Sequence, residues 1–357
     1  MTTPIPTTQQ GAVVVNPGES FKILIQNDLP IQQPHEHEVL IKLTCTGLCH
    51  SEIRAVLAWG AYNPIIGHEG IGSVVKTGRN VSPGLLNQRV GVKWLYSACN
   101  ECSLCTRGCH HYCPKQLNTS RHVPGTLQQY VIADSRFLTR IPDTVPDEVA
   151  APLLCAGLTM AGALGRLEGV LQAGDFVVIS GSGGGLGHIG IQIAARVNKY
   201  RVIAVDSGED KEQLSLSAGA EVFIDYQSED IASRVHELTG EGAHATIVVP
   251  GTKEAFAAAS AFIRNMGFIV CVGLPPNEMH WPISATLCAA RGISIVGSSV
   301  GTEDQMTDLL QQASAGLISP AVRVYDLSET SALINDLKDD AITGRAVVKL
   351  PLEKNTE

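Results

Sequence analysis

FVVISGSGGGLG, Phe176–Gly187, reads as a short apolar strand that runs straight into a glycine turn. A helical stretch, Leu186–Val197, follows. Strand, glycine turn and helix in that order open a nucleotide-binding βα unit. The glycines allow the tight turn and let backbone N–H groups approach a diphosphate at the helix N-terminus. The strict G-x-G-x-x-G pattern is absent in every register. The spacing that fits is Gly181-x-x-Gly184-x-x-Gly187, with Gly185 and Leu186 inside it. Five glycines also suit a plain loop, so the turn needs support from a second element.

The next strand gives that support. Arg201–Val205 ends at Asp206, nineteen residues after Gly187. A carboxylate there accepts hydrogen bonds from adenosine ribose hydroxyls and repels a 2′-phosphate, which favours NAD over NADP. Further apolar strands are expected at Ala245–Val249, Phe268–Val272 and Ile293–Val296, with a helix at Lys211–Ala218. Such alternation predicts an α/β fold with a doubly wound parallel sheet.

The first 150 residues have another texture. Short β segments such as Glu38–Leu43, Gly70–Lys76 and Arg89–Trp94 are divided by Gly, Pro and Asn turns. Two domains are therefore expected, which also suits 357 residues. One is β-rich, over 1–156, and the segment 300–357 returns to it. The other, 157–299, carries the parallel sheet. A helix is expected at Glu303–Ala315.

The composition is 44% hydrophobic and 17% charged, that of a globular chain. A net charge of −9 gives no basic footprint for nucleic acid or an anionic membrane. No apolar run reaches the roughly 18 residues that span a bilayer. Met1–Gln10 is polar and lacks the pattern of a secretion signal. A cytoplasmic protein is the expectation. In that reducing compartment, ten cysteines point to metal or catalysis rather than disulfides.

Four of them, Cys99, Cys102, Cys105 and Cys113, are spaced C-x2-C-x2-C-x7-C in a stretch poor in aliphatic residues. Close C-x2-C pairs aim successive thiolates at one point, and a closed tetrahedral zinc site takes four of them. The metal would supply the folding energy this lobe lacks. An iron–sulfur cluster is the rival occupant, and Cys109, His110 and His111 in the same lobe complicate the choice of ligands. Cys49, His68 and Cys155 lie scattered outside it. Two cysteines and a histidine would make a catalytic zinc site with an open fourth position. Spacing alone does not bring the three together: Cys155 suits a core thiol and His68 a turn.

GLCHSE (47–52), GHEGIG (67–72), the four-cysteine lobe, LLCAGLT (153–159) and the glycine turn follow one another in an order that resembles the medium-chain zinc alcohol dehydrogenases. VKWL (92–95), LQQYVIAD (127–134), AEVFIDY (220–226) and ISIVGSSVG (293–301) look most like the yeast-type branch. The resemblance runs from about residue 20 to about 350. It implies a GroES-like catalytic domain interrupted by a Rossmann domain, and two zinc ions per chain. Cys49, His68 and Cys155 would hold the catalytic zinc, and the four lobe cysteines the structural one. Ser51 would take the hydroxyl proton while hydride passes between the alcohol carbon and NAD. Glu69 would lie behind the zinc, Thr159 on the nicotinamide, and His50 and Arg345 at the diphosphate. Lys211 would lie near the ribose. Val272, Leu274, Ser298 and Val300 would contact the cofactor, and Trp59 and Trp94 would wall the substrate pocket. The family also implies a homo-oligomer, a dimer or tetramer, with the apolar run Ile293–Val300 as a subunit contact.

Three departures stand out. Glu52 takes the place of a shorter aspartate, and one extra methylene could shift the groups that orient the zinc ligands. Arg54 replaces the histidine that ends the yeast-type proton relay. Arginine stays protonated near neutral pH, so the relay ends in water or Arg54 binds cofactor or an acidic substrate. Only 18 residues separate Cys49 from His68, fewer than in yeast-type enzymes. That segment holds Trp59 and Tyr62, and its shortness predicts a more open pocket. A reductase of bulkier carbonyls is therefore one alternative to an ethanol-type enzyme. A zinc-binding relative without catalysis is another, opposed by the intact Cys49, Ser51, His68 and Cys155.

Overall fold

The computed structural model describes residues 4–275, 279–281 and 283–351. The chain divides into two compact units. One runs to Cys155 and resumes at Val322; the other is Ala156–Ala321.

The second unit contains the glycine turn. Its strands in chain order are β1 (Phe176–Ser180), β2 (Arg201–Asp206), β3 (Val222–Asp225), β4 (Ala243–Val248), β5 (Ile263–Cys271) and β6 (Ser294–Gly297). They lie side by side as β3-β2-β1-β4-β5-β6, and every pair is parallel. This is the doubly wound order, whose reversal point falls beside β1 and the turn after it. Val177, Val178, Ile179, Ile203, Ala204, Ile247, Ile269 and Val270 are all buried. Continuous Val/Ile/Ala runs of this kind are what a sheet covered on both faces requires. The edge strand β3 is half-buried, and its apolar run, Val222–Ile224, is only three residues long.

The return point lies at Val322 rather than near 300. The helix Glu303–Ser314 packs on the helix Leu158–Gly165 through a face of Met306, Leu309 and Leu310. That burial ties residues 300–321 to the nucleotide unit.

The first unit is built on a mixed sheet. In spatial order its strands are Val322–Asp326, Arg345–Lys349, Glu38–Leu48, Gly70–Thr77, Arg89–Val92 and Thr139–Arg140, with Tyr130–Asp134 also paired to Glu38–Leu48. Its core includes Ile41, Leu48, Ile53, Val90, Leu127 and Val348. The helical stretch Asp147–Gly165 is apolar and 19 residues long, but 67% of its most apolar window is buried inside the protein. It is a core helix by that measure.

Candidate active site and metal centres

Sheet register builds the site. Leu48 pairs with Ala346, so Cys49 and Arg345 emerge at the same end of the sheet. Thr46 pairs with Gly70, which brings in His68 and Glu69 just before that strand. Gly70 pairs in turn with Val92, and Trp94 lies two residues on. Cys155 arrives on a π-helical turn, Leu153–Gly157, a local widening that recurs at functional sites.

Cys49 then caps the helix His50–Val56. Its Sγ accepts the Ser51 N–H at 3.4 Å, and its own N–H donates to Glu52 Oε2 at 2.6 Å. The other Glu52 oxygen lies 3.2 Å from His68 Nδ1. A carboxylate there fixes the proton on Nδ1 and turns the Nε2 lone pair inward. The longer Glu52 thus reaches the place from which a ligand histidine is oriented.

Three donor atoms converge. Cys49 Sγ is 3.6 Å from His68 Nε2 and 3.8 Å from Cys155 Sγ; His68 Nε2 is 3.3 Å from Cys155 Sγ. A tetrahedral zinc with Zn–S about 2.3 Å and Zn–N about 2.0 Å sets its ligands about 3.5–3.8 Å apart. The spacing and the donor chemistry fit that ion. Glu69 joins the cluster, with all four ligand atoms within 4.8 Å of one another. Cys49, His68 and Glu69 are buried.

Their protonation is set by mutual contact in a dry setting. Hydrogen bonding to Cys155 holds the Cys49 thiol well below its ordinary range, and the same contact with burial pushes Cys155 well above it. Burial works to keep His68 neutral, but the Cys49 and Glu52 charges outweigh it and raise its pKa. Burial pushes the Glu69 carboxyl up, and the Arg345 charge pulls it back toward the ionised form.

Arg345 is 3% exposed, and its Nη2 donates to both Glu69 oxygens at 2.5 Å. Gly47 makes room for this pair: a Cβ there would stand 2.0 Å from Glu69 Oε2. The pairing of Arg345 with Glu69 is invisible to local sequence.

Other site residues of this unit line the same helix and its surroundings. Ser51 and Arg54 are half-buried and three residues apart, so they share a helix face. Exposed His50 places Nε2 3.4 Å from Asp340 Oδ1, and that hydrogen bond raises its pKa. Trp94 stands edge-on to His68, ring centroids 5.2 Å apart, and 6.5 Å from Tyr62. Trp59 is 37% exposed.

The lobe forms a second cluster of Cys99, Cys102, Cys105 and Cys113. Sγ–Sγ separations of 3.8, 3.9 and 3.5 Å match the edges of a zinc tetrathiolate. Cys109, His110 and His111 are not part of this cluster.

In the nucleotide unit, Gly181 has a φ of +69° and Gly187 packs so closely that a Cβ would meet the Gly181 carbonyl at 2.1 Å. Asp206 is 6% exposed at the end of β2; it accepts the Gly183 N–H at 2.9 Å, and Lys211 Nζ lies 3.4 Å away. Thr159 is half-buried one helical turn beyond Cys155. Val272 is buried just past β5, Leu274 is 67% exposed, and the Ser298 N–H donates to Cys271 O. Val300 holds a φ of +54°, which β-branched residues avoid.

A family profile described as "Alcohol dehydrogenase GroES-like domain" matches residues 35–143, and one described as "Zinc-binding dehydrogenase" matches 185–315. Alcohol dehydrogenase 2 of Emericella nidulans is 38% identical over 97% of this chain and 98% of its own. The chain belongs to the zinc-binding alcohol dehydrogenase family. An alcohol dehydrogenase of Schizosaccharomyces pombe is 35% identical over 97% of this chain and 99% of its own. Among solved structures, one titled "crystal structure of AibC" superposes with a TM-score of 0.85 at 26% identity, covering 97% of each chain. An Aeropyrum pernix alcohol dehydrogenase shares the fold with a TM-score of 0.87 at 23% identity, over 96% of this chain and 100% of that one. The chain is accordingly an oxidoreductase of the medium-chain type, with donor sets suited to two zinc ions.

Proposed function

We propose that the protein is an NAD-dependent alcohol dehydrogenase or carbonyl reductase. The convergence of Cys49, His68 and Cys155 at tetrahedral-edge distances, with Glu52 behind His68, carries the reading. When bound, zinc supplies Lewis-acid polarisation of the substrate oxygen, and NAD accepts or donates the hydride.

The chain's own residues do the rest. Cys49, His68 and Cys155 would hold the metal, with Glu69 beside them, while the Glu52 carboxylate faces His68 Nδ1 and favours the proton there. Ser51, next but one to Cys49, supplies the hydroxyl that accepts the substrate proton and passes its own on to water. Arg54 stands on the same helix face where a histidine relay would have its imidazole, so the proton exit differs from that relay. Trp94 walls the pocket against His68. Gly181–Gly187 receives the diphosphate, and Asp206 with Lys211 the adenosine ribose. The burial of Arg345 and its bond to Glu69 support a role in holding that carboxylate.

The exposed edge strand β6, with Ile295 39% exposed and nearby Met266 70% exposed, supports a homo-oligomer that extends the sheet. The short Cys49–His68 segment and the part-exposed Trp59 favour a bulkier carbonyl over acetaldehyde. Turnover of NADH on a panel from acetaldehyde to aromatic aldehydes and ketones, on protein of measured zinc content, tests the reading. Failure of every member would overturn it.

A further inference from the structure

The glycine turn is fastened from behind by a histidine that the cofactor motif does not include. His188 is fully buried in the first turn of the helix after Gly187. Its Nδ1 lies 2.8 Å from the Gly184 carbonyl oxygen, and its Nε2 accepts the Ala321 N–H at 3.1 Å. A carbonyl only accepts and an amide N–H only donates, so the ring is the neutral Nδ1–H form. One imidazole therefore joins the turn to the segment by which the chain leaves the nucleotide unit.

Two further residues repeat the contact. Gln192 Nε2 donates to Ser319 O at 3.0 Å, and its Oε1 accepts the Ser319 N–H at 2.8 Å. Arg196 Nη1 donates to Leu317 O at 3.2 Å. Residues four apart on the helix thus meet residues two apart on the segment 317–321. The three contacts act together as a clamp.

We propose that His188 is a positioning residue of the dinucleotide site. The inference rests on the reading of Gly181–Gly187 as that site. A carbonyl oxygen turned toward a diphosphate repels it, whereas N–H groups attract it. With the Gly184 oxygen held on Nδ1–H, the turn keeps that oxygen away from the anion and presents its donors. The Ala321 N–H holds the ring in the tautomer that can do so. Gln192 and Arg196 fix the segment that carries Ala321.

Two variants separate the ring's two bonds. In His188→Asn the side-chain amide can replace the Nδ1 donor to Gly184 but does not reach Ala321. In His188→Gln the amide oxygen can replace the Nε2 acceptor for Ala321, and the Gly184 oxygen is left with only the longer contact from the backbone N–H of residue 188, 3.4 Å away. NADH dissociation constants are measured by fluorescence quenching, alongside melting temperature and zinc content. The proposal expects both variants to melt lower with unchanged zinc. It expects NADH binding to weaken about tenfold in His188→Gln, the worth of one hydrogen bond, and less than about threefold in His188→Asn. Equal losses of NADH affinity in the two variants, or unchanged affinity in His188→Gln, would overturn it while leaving the dinucleotide site standing. Wild-type protein that binds no NADH would overturn both.

Discussion

Glu69 and Arg345, 276 positions apart, form a buried ion pair in which one guanidinium nitrogen bonds both carboxylate oxygens. Neither side chain is more than 3% exposed. Removing one partner strands the other charge in a dry setting. Arg345→Met and Glu69→Gln are each expected to cost about 3–5 kcal/mol. The double variant should cost clearly less than the sum, because no lone charge remains. Urea unfolding of zinc-loaded protein measures all three.

The two metal clusters should part by readout. Wild-type protein is expected to carry about two zinc ions per chain. Cys113→Ser should lose one equivalent and melt lower, since the lobe has little core beyond Leu95, Ala98 and Phe137. Cys155→Ser should lose the other equivalent and nearly all turnover. Elemental analysis beside thermal melting and activity distinguishes the two.

Asp206 should set the choice of cofactor. Asp206→Asn keeps an oxygen that can accept the Gly183 N–H and removes the charge. The ratio of kcat/KM for NADH over NADPH is expected to fall at least about tenfold, a shift of about 1.4 kcal/mol. An unchanged ratio would mean that this carboxylate does not face the ribose.

His244 gives a pH-dependent test of the nucleotide unit. Its Nδ1 accepts the Phe176 N–H at 3.1 Å, and its Nε2 lies 3.1 Å from Asp175 Oδ1. Burial lowers its pKa, with Asp175 opposing and Arg264 assisting. A histidine whose folded pKa lies below its unfolded value contributes stability above the unfolded value, near 6.5. That contribution is lost as pH falls through the folded pKa. Between pH 7 and pH 5 the wild type should therefore lose more stability than His244→Gln, read from unfolding midpoints at each pH.

How much of this was legible depended on distance along the chain. The four-cysteine lobe is local, so C-x2-C spacing located it, although Cys109, His110 and His111 left the choice of ligands open. The strand at Phe176, its glycine turn and Asp206 lie within thirty-one residues and were equally readable. Cys49, His68 and Cys155 needed resemblance, because their meeting depends on the pairing of Thr46 with Gly70 and on a π-helical turn. Resemblance points Arg345 at the cofactor, and its bond to Glu69 emerges only from the pairing of Leu48 with Ala346. A return point near 300 is misplaced because the helix Glu303–Ser314 gives no local sign of which unit its apolar face covers. The clamp from His188 to Ala321 joins residues 133 positions apart, which no single window contains.

On the proposal above, Cys49, His68 and Cys155 make a zinc-dependent site for NADH-linked carbonyl reduction. The most direct measurement is NADH oxidation by an aldehyde panel, before and after selective chelation of the catalytic zinc and after its readdition. Activity that disappears with about one zinc equivalent per chain and returns with it is the predicted result. Protein that holds two zinc ions and binds NADH, yet turns over no aldehyde or ketone, or keeps its activity when that zinc is gone, would contradict it.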